Sequence, residues 1–136
     1  MILYSNNFGW ENVPIVEELK KHLDTRIEIA NDADAAALGE VCAGAAEGAE
    51  NAVLLTLGTG VGSGVILDKK IFRGAMPGGC ELGHLSIRYD GIRCTCGRKG
   101  CLEAYASASA LLRIAREKAA EHPESIMNEM CGNDLE

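Results

Sequence analysis

Ala52-Val53-Leu54-Leu55-Thr56-Leu57-Gly58-Thr59-Gly60-Val61-Gly62-Ser63-Gly64 joins an unbroken apolar run to four alternating glycines. The run Ala52–Leu57 predicts a buried strand, and Gly58–Gly64 predicts a glycine-rich turn leaving its end. Glycines can bring backbone N–H groups close to a phosphate, and Thr59 adds a hydroxyl. A tight hairpin corner uses the same residues, so both readings stand on spacing. No Gly-Lys-Ser/Thr comes after the turn, so this is not a P-loop. The residues beyond Gly64 read as strand rather than the helix a dinucleotide fingerprint requires.

Working outward, elements alternate. Val65–Leu67 and Ile71–Phe72 flank Asp68-Lys69-Lys70 as a hairpin. Upstream, Asn31 and Asp32 are N-cap types ahead of an alanine-rich helix from Ala33 to about Glu47, closed by Gly48. Ile27 and Ile29 read as a short strand. Pro14 opens a helix bearing Val16, Leu19 and Leu23 on one face. Tyr4–Asn12 reads as a polar loop. Downstream, Gly74–Gly83 is a loop, and Leu85, Ile87 and Tyr89 alternate as a short strand. One long amphipathic helix is expected over Leu102–Ala120, stopped near Pro123.

The 136 residues carry 13 Lys plus Arg against 20 Asp plus Glu, for a net charge of −7. That acidity argues against general nucleic-acid binding, which needs a basic face. No apolar run approaches the roughly 20 residues of a membrane span, and the first residues are not a secretory signal, so a cytoplasmic location is expected. Six cysteines there read as metal ligands, packing residues or reactive thiols rather than disulfides.

Cys94-Thr95-Cys96-Gly97-Arg98-Lys99-Gly100-Cys101, preceded by His84, offers three thiolates and an imidazole. A Cys3His set is a closed tetrahedral zinc site, hence structural rather than catalytic. Cys42, Cys80 and Cys131 read as small packing residues. Asp32, at a strand-to-helix junction, is either a helix cap or a rigidly held base. Glu81, three residues before His84, is by itself an ordinary surface acid.

These motifs together resemble the ROK family (repressor, open reading frame, kinase), and within it the bacterial glucokinase type. The residues that carry the resemblance are Asn31-Asp32-Ala-Asp34-Ala-Ala-Ala-Leu-Gly-Glu40, Gly58-Thr59-Gly60-Val-Gly62-Ser-Gly64, Gly78-Gly79-Cys-Glu81-Leu-Gly83-His84 and Cys94-x-Cys96-Gly97-x-x-Gly100-Cys101-Leu-Glu103, in that order. Tyr4-Ser-Asn-Asn-Phe-Gly-Trp10 also looks like the family's loop ahead of the catalytic motif. The resemblance implies an α/β chain carrying part of an actin-like ATPase (ribonuclease H-like) fold. It implies ATP-dependent phosphorylation of a hexose, with glucose first, at the 6-hydroxyl.

It implies Asp32 as catalytic base, with Asn31, Asp32, Glu81, His84 and Glu103 binding the sugar. Gly58, Thr59, Gly60 and Gly62 would hold phosphate, and His84, Cys94, Cys96 and Cys101 a structural Zn²⁺; Mg²⁺ would accompany ATP. His84 would serve metal and sugar through different ring nitrogens. A dimer or tetramer is expected of the parent, with no membrane or nucleic-acid partner. Residues 1–48 would end the small domain, and 49–136 begin the large one.

Departures shape the same expectation. The family's first phosphate loop, Asp-x-Gly-Gly-Thr, does not occur in these residues, and the C-terminal part covering adenine is not matched. The chain therefore reads as a fragment, inactive alone. Asp34 stands where the family has Asn, adding negative charge near Asp32. A sugar-sensing repressor, or an inactive zinc-stabilised remnant, are the alternatives.

Overall fold

The computed structural model describes residues 2–5, 9–75 and 80–131, which form two compact units, 1–31 and 32–136.

In the first unit, strand β1 (Ile2–Ser5) pairs antiparallel with β2 (Trp10–Val13), setting Ile2 opposite Val13 and Ser5 opposite Trp10. The expected polar loop is thus a hairpin, although residues 6–8 lie outside the described set. Helix α1 (Ile15–Lys20) starts after Pro14, whose carbonyl accepts the Glu17 and Glu18 N–H groups. Ile27 and Ile29 form no strand; among the described residues no strand pairs with them, and alternation without a partner leaves extended chain.

The second unit is built on β4. Strands β3 (Ala52–Leu57), β4 (Val61–Leu67) and β5 (Lys70–Ile71) form an antiparallel sheet in that order. The β4–β5 turn places Asp68 and Lys69 at φ of 49° and 62°. Two successive positive φ values match the twist of a two-residue hairpin. Half of the expected glycine turn is in fact strand, because Val61–Gly64 pairs residue for residue with Leu54–Leu57. The buried strand is β4, where Val61, Ser63, Gly64, Val65 and Ile66 are all buried. β3 is an edge instead, with Val53, Leu55 and Leu57 exposed at 60%, 42% and 66%.

Helix α2 (Asp32–Ala43) crosses β4 through alanines, burying Ala33 and Ala37. Gly64 allows that approach; a Cβ there would fall 2.5 Å from the Ala37 Cβ and against the Ala33 carbonyl. Asp32 and Asp34 in the first turn favour the helix electrostatically. The helix stops four residues short of Glu47, because Glu40 turns the chain: its carbonyl accepts the Gly44 and Ala46 N–H groups and its carboxylate the Ala45 N–H. Cys42 is exposed on this helix and is not a packing residue; Cys80 and Cys131 are half-buried.

After a 3₁₀ turn at Leu82–His84, the Leu85–Tyr89 stretch makes one isolated bridge, Ser86 to Cys101, rather than a strand. The long C-terminal helix is broken into α3 (Glu103–Ala106) and α4 (Ala108–Glu121). Ser107 causes the break: it is extended (φ −75°, ψ 162°), and its hydroxyl caps α4 by accepting the Ala110 N–H. A further short helix, α5 (Ile126–Met130), is capped by Ser125. No helix among the described residues is long and apolar enough to cross a membrane.

Candidate functional site

Asp32, Thr59, Gly60, Glu81, His84 and Glu103 line one open cavity of about 430 Å³. Asp32 comes from the start of α2, Thr59 and Gly60 from the β3–β4 turn, Glu81 and His84 from the 3₁₀ turn, and Glu103 from α3. Gly58 and Gly62 line it too. Asn31 is the last residue of the first unit, one peptide bond before Asp32. Gly78 and Gly79 lie outside the described residues.

Asp32 is exposed, and its Oδ1 accepts the Ala33 N–H at 2.9 Å. The charge that Asp34 adds nearby is compensated: Arg73 Nε donates to Asp34 Oδ2 at 3.1 Å. Spacing alone did not identify that partner, which sits 39 residues away, just beyond β5.

The glycines of the turn have separate causes. Gly58 has open space where a Cβ would stand. At Gly60 a Cβ would sit 2.5 Å from Glu103 Oε2, at Gly62 against the Thr56 hydroxyl, and at Gly64 against α2. Three of the four thus admit neighbours from this chain.

Ser63 is a residue that sequence reasoning missed. Its buried hydroxyl donates to the Cys80 carbonyl at 3.0 Å and accepts the Leu82 N–H at 2.8 Å. It therefore ties both residues flanking Glu81 to β4. A serine among alternating strand glycines was the available signal, since an apolar environment demands a partner for a hydroxyl.

The His84, Cys94, Cys96 and Cys101 donor atoms lie within 4.8 Å of one another. Cys96 Sγ to Cys101 Sγ is 3.7 Å, and Cys94 Sγ to His84 Nδ1 is 3.6 Å. Zinc–sulfur bonds of about 2.3 Å in a tetrahedron set S···S edges near 3.8 Å, so these residues fit zinc. Backbone bonds make the turn: Cys94 N–H donates to Arg98 O, and Gly97 N–H to Cys94 O. Gly97 and Gly100 take φ of +88° and +74°, and a Cβ on Gly100 would collide with the Arg88 carbonyl. Tyr105 Oη accepts the Ile92 N–H at 2.8 Å, fastening the knot to α3.

The Arg98 backbone N–H and guanidinium bring the Cys96 pKa down to about 6, while burial pushes that of Cys101 up to about 11. Cys96 is exposed and Cys101 buried, and Cys101 would have to release its proton for a metal ion to be held there.

A second cavity, about 500 Å³, shares Thr59, Gly60 and Glu103 with the first and continues to Ser107, Ser109 and Arg113. Ser109 Oγ donates to Thr59 O at 3.2 Å, and Ala108 N–H to Gly58 O at 2.8 Å, so the start of α4 braces the turn.

The sequence model of the ROK family matches residues 1–135. The chain belongs to the ROK family. The glucokinase of Halalkalibacterium halodurans is 42% identical over 125 residues, which are 91% of this chain and 38% of that protein. A ROK family glucokinase from Streptomyces griseus, solved in complex with glucose and AMPPNP, superposes with a TM-score of 0.75 at 38% identity, covering 90% of this chain and 39% of that one. A ROK family transcriptional regulator, a homolog of the E. coli MLC protein, gives 0.78 at 32% identity, covering 88% and 30%. The chain therefore spans about two fifths of the length of the curated relatives it matches first. Its fold is part of the actin-like ATPase fold of the ROK sugar kinases.

Proposed function

We propose that this chain is the sugar-side and metal-binding part of an ATP-dependent hexose kinase that phosphorylates the 6-hydroxyl, with glucose as first candidate. The observation that carries the reading is that Asp32, Glu81, His84, Glu103 and Thr59, scattered between residues 32 and 103, line one cavity. The similarity to glucokinases supports it.

In this reading Asp32 takes the proton from the attacking sugar hydroxyl. It is exposed, rigidly placed at a helix start, and uses one oxygen on the adjacent N–H, leaving the other for substrate. Asn31, Glu81, His84 and Glu103 accept or donate hydrogen bonds to the remaining hydroxyls. Gly58, Thr59, Gly60 and Gly62 approach the phosphates of ATP, which Mg²⁺ accompanies as charge neutraliser. Cys94, Cys96, Cys101 and His84 Nδ1 would hold zinc, whose contribution is to fix the knot and orient the His84 ring. The other ring nitrogen is then left for the sugar.

Cytoplasmic residence and a homo-oligomeric parent belong to the same proposal. So does a domain boundary near residue 48; a structure of a longer chain carrying the family's other strands tests it against the division at residue 31 seen here. The repressor reading is the second, because regulators of this family match as well. The intact Asn31-Asp32 pair leans toward the kinase, because it keeps a carboxylate placed to act as the base.

The test is a coupled assay for hexose 6-phosphate with ATP and Mg²⁺. A longer chain joining these residues to an upstream Asp-x-Gly-Gly-Thr loop is expected to turn over glucose. These 136 residues alone are expected to give no turnover above an Asp32→Ala control, because one phosphate-facing turn supplies too few contacts to position ATP. An upstream helix-turn-helix, with no turnover by the longer chain, would favour the repressor.

A further inference from the structure

We propose that Glu103 is a positioning residue for the glycine turn, carrying the order of the metal knot to the Gly60–Val61 peptide; that this turn faces a phosphate rests on the function proposed above. Glu103 Oε2 accepts the Val61 N–H at 3.0 Å across 42 residues of chain. Its Oε1 accepts the Thr95 hydroxyl at 3.2 Å and lies 4.0 Å from His84 Nδ1. One largely buried carboxylate thus joins the turn to Thr95 of the knot and lies beside His84.

The chain geometry makes this a linkage rather than a chance contact. Glu103 is two residues past Cys101, which is fully buried, so the position of the Cys101 sulfur fixes where α3 begins. Leu102 N–H donates to Leu85 O at 2.9 Å, which holds the same point from the other side. Gly60 leaves the space that Glu103 Oε2 occupies, and any side chain there would displace it. Glu103, Thr59 and Gly60 also form the wall shared by both cavities. A hydrogen bond from a backbone N–H to a carboxylate is among the stronger kinds and orients the acceptor. Loss of order at the knot would therefore free the Val61 N–H and let the turn relax.

The experiment is amide hydrogen exchange, read by NMR on this chain loaded with zinc, before and after chelation. In the zinc-loaded chain, Glu103→Ala is expected to speed Val61 exchange roughly tenfold, the factor that loss of a hydrogen bond to a charged acceptor gives. Val65 and Ile66, further along β4, should keep their rates. Glu103→Gln retains an acceptor and should return Val61 to within a few-fold of the parent. Chelation should speed Val61 in the parent, and add little in Glu103→Ala. Thr95→Val, which leaves the Val61 acceptor in place, should give a smaller acceleration and serves if Glu103→Ala does not fold.

An unchanged Val61 rate in Glu103→Ala, or acceleration only in step with Val65 and Ile66, would overturn the proposal. So would a Val61 rate indifferent to chelation. The readout uses neither sugar nor ATP. A Val61 response in a protein whose longer form never phosphorylates a hexose would remove the kinase reading and leave this linkage standing.

Discussion

In the Cys94–Cys101 knot, two glycines at positive φ, a bridge from Ser86, the Tyr105 hydroxyl and successive backbone bonds all constrain four donor atoms. Asp32, which lines a cavity with His84, is by contrast exposed at a helix start and bonds the next N–H. The difference is one of where the constraint comes from. The knot is over-determined by its own chain, which suits the metal-binding role proposed for it, since its donors must converge. Asp32 is held at the start of α2 with one oxygen on the next N–H, which suits the base role proposed for it. On this account the knot's order survives changes that abolish catalysis, and packing changes separate the two regions further.

The largest expected effect is on the Asp32 side. In a longer, active chain Asp32→Ala should lower kcat by at least ~10², the lower range for a positioned general base, with a much smaller change in sugar affinity. Turnover surviving within a few-fold would make Asp32 a helix cap and erase the contrast. Metal content should be the same in both proteins.

Gly64→Ala comes next. Its new Cβ would press on Ala37 and the Ala33 carbonyl, on the seam that places Asp32, and on none of the cysteines. Overpacking of this kind costs about 1–3 kcal/mol. Urea denaturation should register the loss while the zinc content stays unchanged; a variant as stable as the parent would show that α2 does not need the close approach.

The smallest effect is expected at the Arg73–Asp34 pair, which is half-exposed on the arginine side. Arg73→Ala should change stability by less than ~1 kcal/mol, as surface pairs do. Asp34→Asn should change it as little, and thermal unfolding of both variants checks this. A larger loss would mean that the pair anchors the segment leading toward Glu81.

The contrast also explains what could be read from the chain. The knot was legible because its chemistry is compressed into a short loop plus His84, and few other uses account for three cysteines so close. The cavity was legible only through the order of four motifs, since Asp32, Glu81 and Glu103 are ordinary acids one at a time. Strand burial was misread because it depends on neighbours: Ala52–Leu57 is the more continuous apolar run, yet Val61–Leu67 has strands on both sides and a helix across it. Small residues hid β4, for Gly62, Ser63 and Gly64 look like a turn until α2 packs against them. Ser107 was hidden by the helical pattern running through it; a serine inside an amphipathic run reads as solvent-facing until its hydroxyl is seen to cap α4.

The most direct test of the central contrast is the metal content of this chain. Purified under reducing conditions after zinc-supplemented expression, it should hold about one zinc per chain by elemental analysis, as a closed Cys3His site requires. Cys101→Ser should fall below about a tenth of an equivalent, and Cys131→Ser should keep the parent's content. A parent chain with less than about a tenth of an equivalent, or a Cys101→Ser variant that keeps its zinc, would contradict the account.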